Sequence, residues 1–113
     1  MAFGITITEE ADRQFRSLSV RDQRSLKRAI AVRLEHQPTL LSNAIRRLRP
    51  NSVAEFELRV GTLRALYNIQ TDEVVIIVVG RKVGNKLIVE GEEYHGHQNH
   101  PTEPPGNGPP ADT

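Results

Sequence analysis

The chain is predicted to be an α+β protein: a small antiparallel β-sheet packed against an N-terminal helical hairpin, in the order β-α-α-β-β-β, with Lys86 to Val89 a candidate for one extra C-terminal strand. Three observations predict it. The apolar period is two at the start, becomes helical, and returns to two. The helical segments come together and the strand segments come together, which is the α+β arrangement. The length of 113 residues, with 37% hydrophobic and 26% charged residues, suits one globular unit.

Each element has a local reason. Phe3, Ile5 and Ile7 alternate with Thr6 and Thr8, which marks a short strand. Thr8 stands at an N-cap position, with Glu9 and Glu10 in the first turn of a helix. Ala11, Phe15 and Leu18 form its apolar stripe. Ser19 caps a second helix, with Asp22 at its third position, after a linker of about one residue. Leu26, Ala29, Ile30 and Leu34 make the buried face of that helix, and Arg21, Arg24, Lys27, Arg28 and Arg33 its wet face. The helix should end before Pro38.

Residues 39–51 read as a connector, docked by Ile45 and Leu48, with Arg46, Arg47 and Arg49 outward. Period two then returns. Phe56, Leu58 and Val60 alternate with Glu55, Glu57 and Arg59. Gly61-Thr62 is a tight turn, and Leu63, Ala65, Tyr67 and Ile69 continue the apolar face on the returning strand. Residues 70–73 turn the chain again. The β-branched run Val74 to Val79 suits a central strand covered on both faces, ended by Gly80. The folded domain is expected over residues 1–94. Residues 95–113 hold five of the seven prolines and no Val, Ile, Leu or Phe, so a disordered tail is expected there.

Composition removes several functional classes. With no cysteine, disulfides, thiol nucleophiles and thiolate metal sites are excluded. The longest apolar run, Val74 to Val79, falls far short of the ~20 residues of a membrane span. The N-terminus lacks the basic start and apolar core of a signal peptide, so a cytoplasmic location is expected. There is no P-loop or dinucleotide fingerprint, and no cofactor is expected. His95, His97 and His100 lie in the Pro-rich tail without the fixed geometry a metal site needs, so no metal is expected either. All 15 Lys and Arg lie between Arg13 and Lys86, so residues 1–89 carry net +6, whereas residues 90–113 carry five carboxylates and no cation. A basic body with an acidic end points to an anionic partner.

The basic residues have a register. If Gly61-Thr62 is a two-residue turn, Val60 faces Leu63 and Arg59 faces Arg64, both arginines lying on the sheet face away from the helices. Like charges directly opposite destabilise a hairpin by up to about 1 kcal/mol, a sign that an anion between them would reverse. Arg81 and Lys82 follow the central strand, and Lys86 follows them. The expectation is a phosphate-binding cluster of Arg59, Arg64, Arg81 and Lys82, since the planar guanidinium fork matches phosphate oxygens.

The stretch FELRVGTLRALYNIQTDEVVIIVVGRK resembles the core of the RelE/ParE superfamily of bacterial toxins. The ordered features are Arg59, the Gly61 turn, Arg64, Tyr67, the Val74 to Val79 strand, and Gly80-Arg81-Lys82. The resemblance covers about residues 3–83 and implies a toxin of a type II toxin–antitoxin module, bound and blocked by a cognate antitoxin. Its best-known activity is ribosome-dependent cleavage of mRNA, which represses translation; a second branch inhibits DNA gyrase without catalysis. A third reading is a member of the fold that only binds a partner.

RNA cleavage by its own 2′-hydroxyl needs a base, cations to stabilise the phosphorane, and an acid for the leaving oxygen. Arg59, Arg64 and Arg81 suit the middle role, with Lys82, Lys86 or Tyr94 in proton transfer, and the scheme requires no metal. Active relatives often carry a tyrosine or histidine soon after the basic pair, and a base two positions before the position of Arg59. Here Tyr94 is the next candidate, and that second position is Glu57, which repels phosphate or else pairs with an arginine and positions it. Tyr67 reads as a core tyrosine. The acidic stretch Glu90 to Glu93 is expected to be able to shield the basic site in cis.

Overall fold

The computed structural model describes residues 2–95. Its first strand, β1 (Gly4–Ile7), leads into helix α1 (Glu9–Arg16), and α2 (Val20–Ala29) follows after three connecting residues rather than one. Both N-caps form as their sequences require: Thr8 Oγ1 accepts from Ala11 N and Ser19 Oγ from Asp22 N, each at 3.1 Å. A π-helical turn, Ile30–Leu34, extends α2, and Phe3 N donates to Glu35 O just beyond it at 2.6 Å.

Six further strands complete a seven-stranded sheet: β2 (Ile45–Arg47), β3 (Phe56–Val60), β4 (Leu63–Gln70), β5 (Glu73–Val83), β6 (Lys86–Val89) and β7 (Glu92–Glu93). They pair in the order β2-β3-β4-β5-β6-β7, all antiparallel, and β1 adds parallel to the first half of β5. Thus Lys86 to Val89 is a strand, whereas β2 and β7 lie in stretches too short to show a period. The expected connector over 39–51 therefore contains an edge strand.

Two apolar clusters hold the sheet. On the helix side, Leu26, Leu34, Phe56, Leu58, Ala65, Tyr67, Val74, Ile76 and Val79 are buried together. On the other side Ala54, Leu66, Val78 and Val89 are buried, with Leu48, Val53, Leu87 and Tyr94 packed against them. The face away from the helices is therefore covered at one end and open at the other. A bulge makes this division possible. Leu66 faces Val78 and Tyr67 faces Ile76, so Ile77 is the extra residue and the alternation of β5 shifts by one beyond it.

Gly80 does not end the central strand; β5 continues to Val83. A Cβ at position 80 would lie 2.5 Å from Ile88 O, so the glycine is what lets β6 come close enough to pair. The tail expected from residue 95 onward lies almost wholly outside the described residues.

Candidate anion-binding site

The turn between β3 and β4 has a positive φ at Gly61 (+60°) and not at Thr62, as a type II′ hairpin requires. That turn sets the register. Val60 faces Leu63 and Arg59 faces Arg64, so the two guanidinium-bearing chains start from neighbouring points on the face away from the helices.

What holds two cations there is Glu57. Its Oε1 lies 3.8 Å from Arg59 Nε and its Oε2 lies 3.7 Å from Arg64 Nε. Glu57 is only 9% exposed and Arg64 only 7%. Across the other edge of β3, Arg46 of β2 stands directly opposite Glu57. Two arginines therefore flank the carboxylate and a third stands opposite it on the neighbouring strand, leaving the group at net +2. Burial lowers the Arg64 pKa from its ordinary value; Glu57 opposes that shift, and the neighbouring charges of Arg59 and Arg46 reinforce it.

Arg64 is tethered as well as buried. Its Nη1 donates to Gly61 O and Leu63 O, both at 2.8 Å, folding the guanidinium back over the turn it follows. Among the described residues, its Nε is the buried side-chain nitrogen left without a hydrogen-bond partner. The solvent-facing members of the group are Arg46, which is exposed, and Arg59, whose side chain is 35% exposed.

Lys82 and Tyr94 share the same face further along. Lys82 lies two positions beyond Gly80, the residue that faces Arg64, and its partner on β6 is Leu87. Leu87 O in turn accepts from Tyr94 N at 2.7 Å. Lys82 and Tyr94 are thus in one row, two strand spacings or about 10 Å apart. Tyr94 is half-buried against the second apolar cluster, and burial, with a smaller effect of Glu10, raises its pKa.

Arg81 and Lys86 are elsewhere, so the expected four-cation cluster is divided. The expectation ended the central strand at Gly80 and placed Arg81-Lys82 just after it. In a strand that runs on to Val83, adjacent residues must point to opposite faces. Arg81 points to the helix side, where Nη1 donates to Thr62 Oγ1 at 2.6 Å and Nη2 pairs with Asp22 Oδ2. It lines a cleft of about 550 Å³ with Gln14, Leu18, Asp22, Ile88 and Glu90. Lys86 lies opposite Val83 on β5, and its Nζ is 3.9 Å from Glu93 Oε1.

Among the described residues, Glu90 and Glu93 pair away from the arginine group. Glu90 Oε2 is 3.2 Å from Arg13 Nε on α1, and Glu93 is engaged by Lys86. Of the stretch expected to shield the site, Glu90 and Glu93 are instead engaged at the helix side and the far sheet edge, while Glu92 stands opposite Val89. Tyr67 is fully buried, donates its hydroxyl to Pro38 O, and is held protonated by burial, as a core tyrosine should be. No metal-competent cluster of His, Asp or Glu occurs among the described residues; His97 and His100 lie outside them.

Arg46 is the member that sequence reading placed outward on a connector without joining it to the site. The signal that could have found it is the inward Ile45 followed by an outward arginine, but three residues are too few to establish alternation.

Two solved structures share this arrangement of a helical hairpin against an antiparallel sheet. The toxin–antitoxin complex RelBE2 from Mycobacterium tuberculosis matches at 26% identity and a TM-score of 0.61, over 73% of this chain and 100% of that one. The chain belongs to the RelE/ParE superfamily. The archaeal RelE–RelB complex from Pyrococcus horikoshii has the same fold, with 18% identity, a TM-score of 0.58, and coverage of 72% of this chain and 96% of that one. No family model and no curated protein sequence matches the chain. Within the superfamily pattern, this member keeps Arg59, the Gly61 turn, Arg64 and Tyr67 in the expected register, and it places a buried carboxylate, Glu57, between the arginines. No helix among the described residues is long and apolar enough to cross a membrane.

Proposed function

We propose that the chain is the toxin component of a type II toxin–antitoxin pair, and that its open sheet face binds RNA phosphate to cleave mRNA on the ribosome and repress translation in the cytoplasm. The observation that carries this reading is the convergence of Arg46, Arg59 and Arg64 on one face, with Lys82 and Tyr94 beside them. The similar solved structures are complexes with an antitoxin, which supports a cognate antitoxin as the protein partner.

In this scheme Arg59 and Arg46, the solvent-facing guanidiniums, take the phosphate oxygens and stabilise the charge that develops on the phosphorane. Arg64 is a positioning residue: tethered to the turn, it adds fixed positive charge behind Arg59. Lys82 is the amine on this face and takes the base role for the 2′-hydroxyl. The phenol of Tyr94, protonated at neutral pH as any tyrosine is, supplies a proton to the leaving 5′-oxygen. Arg81 staples the β3–β4 turn to α2. A second reading, non-catalytic binding of DNA gyrase, is favoured by one observation: Lys86 is committed to the opposite side, leaving Lys82 and Tyr94 as the proton-transfer candidates on the binding surface.

The test is induced expression in a bacterial host, with mRNA 5′ ends mapped before and after induction, beside an Arg59→Ala variant. New cuts within translated regions that vanish in the variant support the nuclease. Growth arrest with a DNA-damage response and no cuts supports the gyrase reading instead. No arrest and no cuts refutes both.

A further inference from the structure

Glu57 sits where an anion would sit. A sheet face built to attract phosphate has a carboxylate, nine-tenths buried, between its two facing arginines. Neither contact closes to a hydrogen bond: the separations are 3.8 and 3.7 Å, and Arg64 Nε, itself buried, keeps its proton without an acceptor. A carboxylate in this position satisfies the arginines' charge but not their donors. A tetrahedral phosphate presents more oxygens, spread wider, and can reach the solvent-facing donors of Arg59 and Arg46, while Arg64 stays behind them as fixed charge.

We infer that Glu57 is the resident counter-ion of the Arg46–Arg59–Arg64 group, and that a phosphate anion binds there by exchanging with it. Glu57 thereby sets the affinity of the site: it keeps two facing cations stable when the site is empty and competes with the ligand for them. This rests on the reading of the face as a phosphate site. Replacing the carboxylate by a neutral amide of the same shape raises the group from net +2 to net +3. The empty protein then loses the attraction that offsets the Arg59–Arg64 repulsion, and an added anion restores it.

The experiment is thermal unfolding of the full chain, wild type, Glu57→Gln and Glu57→Asp, in potassium chloride and in potassium phosphate at equal ionic strength. Fluorescence anisotropy with a short single-stranded oligoribonucleotide separates an RNA phosphate from the free ion. Glu57→Gln is expected to melt below wild type in chloride, to gain more from phosphate than wild type does, and to bind the oligoribonucleotide at least about fivefold more tightly. Glu57→Asp, which keeps the charge but withdraws it, should fall between. Stabilisation by phosphate exclusion from the surface is common to all variants and cancels in the comparison. Adding Arg59→Gln to Glu57→Gln should abolish the extra gain. If Glu57→Gln folds only in phosphate, the inference stands in its strongest form. Equal gains in all three proteins overturn it while leaving the phosphate site intact. A Glu57→Gln protein that folds in neither salt, with Glu57→Asp responding as wild type does, also overturns it and makes Glu57 structural. No protein responding, by melting or by RNA binding, overturns both this inference and the phosphate reading.

Discussion

Gln14→Leu should destabilise the protein through a single amide. On one edge, β5 is paired by β1 over its first half and by β6 over its last three residues, and the stretch between has no strand neighbour there. Helix α1 lies over that gap. Gln14 is 6% exposed, and its Oε1 accepts from Val79 N at 2.8 Å in a buried setting. Leucine has nearly the same volume but no acceptor, so Val79 N–H is left buried and unpaired. An orphaned buried donor costs about 1–3 kcal/mol, partly offset by the easier desolvation of leucine, for a net loss of about 1–2 kcal/mol. In a domain of this size that lowers Tm by roughly 5–15 °C. The assay pairs a melting curve with amide hydrogen exchange. The Val79 amide should lose far more protection than the amides of Ala65 and Tyr67 on β4. A Tm within a degree of wild type, with Val79 exchange unchanged, would refute the claim that α1 closes this gap through Gln14.

Other perturbations separate structure from function. Gly80→Ala should destabilise the β5–β6 pairing by about 1–3 kcal/mol, because the new methyl would meet Ile88 O at 2.5 Å, and a melting curve will show it. Ser19→Ala removes the acceptor for Asp22 N and should cost about 1 kcal/mol, read by denaturant midpoint. Arg59→Ala should lower the salt dependence of single-stranded RNA binding by about 0.7 in log–log slope, whereas Lys86→Ala should leave it unchanged. Stability should fall as pH rises past about 10, the ordinary tyrosine value, since burial raises the pKa of both Tyr67 and Tyr94 and the unfolded chain releases those protons first. Tyr94→Phe should remove part of that fall, measured by alkaline denaturation.

What the sequence determined by itself was local. The caps at Thr8 and Ser19, the period-two runs, and the Gly61-Thr62 turn each follow from chemistry within a few residues, and each forms. The turn carried furthest, since a two-residue loop forces Arg59 opposite Arg64 whatever the rest of the sheet does. Tertiary structure decided the rest. Gly80 reads as a strand end, but a glycine also permits close backbone approach, and only the arrival of β6 shows which applies. That choice assigned Arg81 to the helix side and Lys82 to the other, because one residue along a strand is a change of face. Arg46 joined the site because a three-residue edge strand formed beside β3, a length that carries no period. Gln14 is a polar residue beside the apolar stripe of α1, and nothing local marks it as buried; it is buried because the Val79 amide on a distant strand needs an acceptor. Glu57 is visible in the sequence as a carboxylate near cations. Its burial beside two of them and opposite a third depends on two strand pairings at once, and nothing local specifies that.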